Sequence, residues 1–181
     1  MAELFDAIDE QLAHWLESQP VYFVATAPSG PSGHVNLSPK GMAGTFRVLT
    51  PHRVAYLDHT GSGAETIAHV PENGRITLMF CAFERRPRIL RLYGTGRILL
   101  PAHEEFSSLA SQFSHHAGTR SIIVVEVDRI CESCGYGVPE MAYVTDRRIL
   151  DLKADQMSPD DLTEYWHTSN AESIDGLPAL D

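Results

Sequence analysis

Asn73-Gly74-Arg75-Ile76-Thr77-Leu78-Met79-Phe80-Cys81-Ala82-Phe83 decides the class of fold. Asn-Gly is turn chemistry, since both residues tolerate a left-handed backbone. The apolar and β-branched run after it predicts a strand over 75–83. A longer strand pattern, Ile89–Leu100, opens just past Pro87. Too few residues separate the two for a crossover helix, so the pair is read as antiparallel.

The same texture extends both ways. Upstream, Val21–Ala27 is β-rich and runs into Pro28-Ser29-Gly30-Pro31-Ser32-Gly33, which predicts a hairpin into His34–Ser38. Phe46–Leu49 and Arg53–Asp58 give two short strands broken at Pro51, and downstream Ser121–Ile130 is strongly β-branched. Met141–Val144 and Arg148–Leu152 read as a short terminal hairpin. Helices are few. Leu4, Phe5, Ile8, Leu12, Trp15 and Leu16 recur at helical spacing over about 3–18, stopped by Pro20. Shorter helices are expected over Ala64–Val70, Pro101–Phe113 and Pro159–His167. The pattern predicts a mainly β protein with flanking helices (α+β): one domain over 1–181, built on an antiparallel barrel of six to seven strands.

Composition narrows the function. Acids outnumber bases by 24 to 14, a formal charge of −10, which repels nucleic-acid backbones and anionic membranes. No apolar run is long enough to span a membrane as a helix. The first ten residues carry four acids and no base, unlike a secretory signal. Three cysteines, Cys81, Cys131 and Cys134, suit reduced thiols in the cytoplasm better than a disulfide framework.

An anion would then need a local pocket of donors. Thr60-Gly61-Ser62-Gly63 runs straight into a helix, whose N-terminus offers amides and partial positive charge. Ser62 and Glu65 also have capping-box spacing, and a cap would consume those same amides. Asn36, Ser38 and Lys40 alternate on one strand and share a face. Cys131-Glu132-Ser133-Cys134 has no second pair to complete a zinc site, and Gly135 and Gly137 suggest close backbone approach in a tight loop. The nine histidines are scattered, so no metal site is expected; His59, beside the loop, is the one of interest.

Four stretches in order carry a resemblance: Tyr22–Pro28, His34–Gly41, Tyr56–Thr66 and Arg91–Gly94. With Ser133–Pro139 and Ser173–Pro178, they make the chain resemble the pyridoxamine-5′-phosphate-oxidase-like flavoproteins, in a poorly characterised bacterial and fungal branch. The resemblance implies an FMN-binding split β-barrel that forms a homodimer with the cofactor between subunits. It implies cofactor contacts from Asn36, Ser38, Lys40, Asp58, Thr60, Ser62, Gly63 and Thr66. Ala64-Glu65-Thr66 stands where the family carries a hydroxyl and two bases, so Arg75 and Arg91 are the expected replacement cations. Tyr136 is expected over the flavin or the dimer seam. The implied function is an FMN-dependent oxidoreductase acting on an unknown small molecule. The alternative is a non-catalytic carrier of flavin, deazaflavin or haem. Pyridoxamine-phosphate oxidation itself would call for an Arg-x-His segment near the C-terminus, and Arg147-Arg148 opens none.

Overall fold

The computed structural model describes residues 3–84 and 86–180. Its strands are β1 (Glu3–Phe5), β2 (Val21–Thr26), β3 (Asn36–Gly41), β4 (Phe46–Thr50), β5 (Arg53–His59), β6 (Arg75–Cys81), β7 (Ile89–Leu99) and β8 (Thr119–Ser133). Its helices are α1 (Glu10–Glu17), α2 (Glu65–Asn73), α3 (Phe106–Ala110), α4 (Ile149–Ala154) and α5 (Pro159–Ser169).

All pairings are antiparallel, in the order β3-β2-β6-β7-β8-β5-β4, with β1 added along β8. The two end strands, β3 and β4, are neighbours in the chain. Met42 at φ 75° and Gly44 at φ 81° turn the connection between them, and Thr45 Oγ1 donates to the Gly41 carbonyl at 2.8 Å. β3 and β4 do not pair with each other among the described residues, so the sheet curls into a barrel that stays split.

Alternation fills its interior. Tyr22 and Val24, Ile76, Leu78 and Phe80, and Leu90 and Leu92 are all buried and pack with Leu12 and Leu16 of α1. Tyr22 stacks on Phe80 at 5.1 Å and meets Phe46 at 5.3 Å across the split. Ile122–Val125 in β8 is a continuous β-branched run because both faces are covered: Ile123 and Val125 face the barrel, while Ile122 and Val124 join Leu109 and Phe113 around α3. The outward residues of β2, β6 and β7, including Phe23, Met79 and Tyr93, are only half-buried, and Leu37 on β3 is 62% exposed.

Three sequence expectations are corrected. The N-terminal helix does not begin at residue 3: Glu3–Phe5 pairs with Ile130–Glu132 of β8, and α1 starts where Asp9 Oδ1 accepts from Leu12 N at 2.8 Å. The helix expected over Pro101–Phe113 is regular only over Phe106–Ala110, the residues before it forming turns. The terminal hairpin is absent. Residues 141–147, all but Asp146 exposed, pair with no strand among the described residues, and the chain from Arg148 winds instead into α4, with Leu152 N donating to Arg148 O at 3.0 Å. An apolar run is a strand only where a sheet edge is available to it. The helix expected over Pro159–His167 forms as α5, started by a capping box between Ser158 and Asp161 with Pro159 in the first turn.

β7 and β8 slip register between Tyr93 and Gly94, and a Cβ on Gly94 would lie 2.0 Å from the Glu126 carbonyl oxygen. Gly94→Ala is therefore expected to cost at least about 2 kcal/mol in urea unfolding, whereas Gly137→Ala, with open space around it, stays within about 0.5 kcal/mol.

Candidate functional site

The site grows from the free edge of β3. Register sets Lys40 opposite Tyr22, Ser38 opposite Val24 and Asn36 opposite Thr26, so all three point to the barrel side. The Lys40 side chain remains 21% exposed, and its Nζ donates to Asp58 Oδ1 at 2.9 Å. Asp58, near the end of β5, is fully buried. Its other oxygen accepts from Arg120 Nε at 2.7 Å.

Arg120 is placed by an irregularity. β5 and β8 pair Asp58 with Ser121 and then His59 with Thr119, skipping Arg120. The unpaired residue turns its guanidinium inward. Nη1 donates to Asn170 Oδ1 at 2.8 Å and Nη2 to the Gly63 carbonyl at 2.7 Å. Burial pushes the Asp58 carboxyl up, but Lys40 and Arg120 outweigh it and hold it down at about 2.

Beside this pair lies a polar shelf. Ser38 Oγ donates to Asn36 Oδ1 at 2.7 Å, and Asn36 Nδ2 donates to Thr26 Oγ1 at 3.0 Å and Thr66 Oγ1 at 3.2 Å. Asn36 thus spends its amide on the shelf, while Ser38 and Thr66 reach the cleft wall. Thr60 Oγ1 accepts from Trp166 Nε1 at 2.9 Å.

The loop leaves a helix end open. The N-cap of α2 is Ala64, with no side-chain cap, so the capping box that Ser62 and Glu65 spell out does not form. Glu65 folds back instead: a Cβ on Gly63 would come within 2.6 Å of Glu65 Oε2. The resulting cleft of about 220 Å³ is lined by Ser38, Lys40, His59, Gly61, Gly63, Glu65, Thr66 and Arg120.

His59 forms part of the wall. Its ring meets His116 edge-on at 5.1 Å between centroids, and His116 Nδ1 lies 3.0 Å from Asp151 Oδ1 on α4. Nε2 of both rings is buried without a hydrogen-bond partner among the described residues. Burial and then the neighbouring His116 bring His59 down to about 4, so it is neutral at pH 7.

The cleft therefore gathers Ser38, Lys40, Gly63 and Thr66, with Asp58 directly beneath Lys40. It does not gather Arg75, Arg91 or Tyr136. Arg75 is exposed beyond the far end of α2, with only a 3.5 Å contact from Nη2 to the Pro28 carbonyl. Arg91 lies on the outer sheet face between Met79 and Cys131, donating to Ser133 Oγ at 3.1 Å. Tyr136 is 83% exposed. Arg85, Arg86 and Arg88 flank Pro87 in sequence; Arg85 lies outside the described residues, and Arg88 stacks over Trp15 at 4.3 Å and pairs with Glu132. The two residues that sequence reasoning missed are Arg120 and Asn170. The one signal for Arg120 was a cation directly ahead of a long apolar strand. Gly135, at φ 65°, does make the close approach expected of it, since a Cβ would lie 2.7 Å from Arg88 N. Among the described residues no group of three or more His, Cys, Asp or Glu could hold a metal, and no helix is long and apolar enough to cross a membrane.

Comparison with known proteins adds to this geometry. A family model described as pyridoxamine 5′-phosphate oxidase matches residues 8–158. The chain is similar to the pyridoxamine 5′-phosphate oxidase family protein ustO of Aspergillus flavus, with 35% identity over 99% of this chain and 78% of that protein. Among solved structures it is similar to HupZ of Group A Streptococcus, with a TM-score of 0.52 and 21% identity over 68% of this chain and 91% of that one. It is also similar to a Clostridium acetobutylicum protein related to general stress protein 26, with a TM-score of 0.51 and 17% identity over 70% and 91%.

Two pH experiments follow. Asp58→Asn leaves two cations without their carboxylate and is expected to cost about 3–5 kcal/mol at pH 7. Because the folded pKa lies below the ordinary 3.8, that stabilisation is complete above about pH 4 and is lost as pH falls through about 2. The gap between wild type and variant in urea unfolding should narrow over that window. His59 is likewise depressed, from 6.5 to about 4, so wild-type stability should decline as pH falls from 6.5 to 4. His59→Asn should flatten that decline.

Proposed function

Because the chain belongs to the pyridoxamine 5′-phosphate oxidase family, we propose that it is an FMN-binding oxidoreductase that works as a homodimer on a small molecule. The observation that carries this reading is the meeting of Lys40, Arg120 and the uncapped start of α2 at one cleft.

The donor set fits a phosphate ester and a flavin ring. Lys40 and Arg120 against Asp58 leave one positive charge, and the open helix end adds about half a charge. Thr66 accepts from Asn36 and keeps its own proton to donate. Ser38 gives its proton to Asn36 and so faces the cleft as an acceptor, suited to a ring N–H. Glu65 opposes a phosphate, and its carboxylate has to swing off Gly63 for one to bind. A bound flavin supplies the two-electron chemistry. The chain's own task is to bind, to orient and to exclude water.

A cleft of about 220 Å³ falls below the range of about 300–1,000 Å³ usual for such ligands. That size supports a site completed by a second protomer. The half-buried outer face of β2, β6 and β7, with Leu37 exposed beside it, is the apolar surface a second copy would cover. Arg91 on that face and the exposed Tyr136 would then stand near the seam. The free thiols support a cytoplasmic setting.

A second reading, a non-catalytic carrier of flavin, deazaflavin or haem, is supported by the loop Ala64-Glu65-Thr66, which carries no cation and turns Glu65 over Gly63 against a phosphate.

Purified protein is expected to be yellow and to sediment at twice the 20.0 kDa chain mass. A Soret band would instead indicate haem. Lys40→Ala should weaken FMN binding by about tenfold or more while Arg120 still holds Asp58 and the fold; unchanged affinity in a fluorescence titration rejects the site. Bleaching by a reduced nicotinamide and recovery with an added acceptor distinguishes enzyme from carrier.

A further inference from the structure

Asn170 follows the last turn of α5, and its side chain is fully buried. Asparagine at a helix end ordinarily serves local backbone. Here the amide also reaches across the fold. Oδ1 accepts from Arg120 Nη1 at 2.8 Å, and Nδ2 donates to the Gly61 carbonyl at 2.8 Å, a residue 109 positions away. Arg120 Nη2 holds the Gly63 carbonyl at 2.7 Å. Two alternate carbonyls of the loop are therefore drawn onto one buried Asn–Arg pair.

This fixes more than the carbonyls. No peptide bond among the described residues is cis. In a trans peptide the N–H points opposite to the C=O of the same unit. With Gly61 O and Gly63 O tied back, the N–H groups of Ser62 and Ala64 are turned the other way. Two glycines would otherwise leave this turn free to sample many backbone states. Ala64-Glu65-Thr66 offers no cationic side chain, so besides the Thr66 hydroxyl the loop has its backbone donors to present.

We propose that Asn170 is a positioning residue for anion recognition: through Gly61 and Arg120 it sets the Ser62 and Ala64 amides as donors to a phosphate ester. The inference rests on the flavin reading of this cleft and deepens it. The family match ends at residue 158, ahead of α5, so the element that sets the loop lies beyond the matched region.

The test compares FMN with riboflavin, which carries the same ring and no phosphate, in fluorescence titrations of the wild type, Asn170→Ala and Asn170→Leu. The leucine keeps the volume without adding charge and loses the contacts to Gly61 and Arg120, which separates loop orientation from packing. Both variants are expected to lower the preference for FMN over riboflavin by about tenfold, with riboflavin affinity within about twofold of wild type. A preserved preference in either folded variant overturns the proposal. So does an equal loss for both ligands, which is what a purely structural role gives. A wild type that binds the two flavins equally overturns the proposal and leaves the flavin reading standing; a wild type that binds neither removes both. In the wild type alone, inorganic phosphate should shift the Ser62 and Ala64 amide resonances, and unmoved resonances at saturation overturn the proposal without any variant.

Discussion

One buried carboxylate organises the functional end of this protein. Asp58 has no exposed surface, and its two oxygens are divided between Lys40 on the free edge strand β3 and Arg120 at the start of β8. Such a charge is tolerable in a low-dielectric interior only if its partners stay in place. The pair therefore ties together two strands that share no ladder hydrogen bonds, β3 and β5. It holds the split of the barrel at a fixed width where the sheet itself does not close.

From that anchor the constraint passes outward. Arg120 spends one guanidinium face on Asp58 and the rest on Gly63 and Asn170, and Trp166 and Asn170 bring α5 onto the same loop. The C-terminal segment thus braces the loop through Thr60 and Gly61. Below the loop, hydrogen bonds link Ser38, Asn36, Thr66 and Thr26 to His69 Nδ1 in one chain. Within the acidic exterior, Lys40 and Arg120 are held at short range on Asp58, where screening by solvent is weak.

Much of this was legible in order of residues. The apolar and β-branched runs in Arg75–Phe83, Ile89–Leu100 and Ser121–Ile130 mark the long strands of the barrel, because such side chains fit a pleated, covered surface. Lys40, Ser38, Gly63 and Thr66 were picked out from motifs and do line the cleft. Arg75 and Arg91, the cations that the strand pattern points to, lie away from the cleft, and the arginine that lines it is Arg120, left unpaired by a register slip between β5 and β8. A slip of one residue leaves no trace in hydrophobic periodicity.

The amino-acid sequence by itself determined the elements with strong local signals: antiparallel strands, the turn at Asn73-Gly74, a glycine loop leading into a helix, and Pro159 opening α5. Local preference and pattern suffice for these because the forces involved act within a few residues. Tertiary structure alone decided that Glu3–Phe5 would pair along β8, that the chain after Arg148 would wind into helix α4, and that Asn170 would meet a loop 109 residues away. Those outcomes depend on which edge, which cavity and which unpaired charge the folded chain presents, and no window of sequence contains that information.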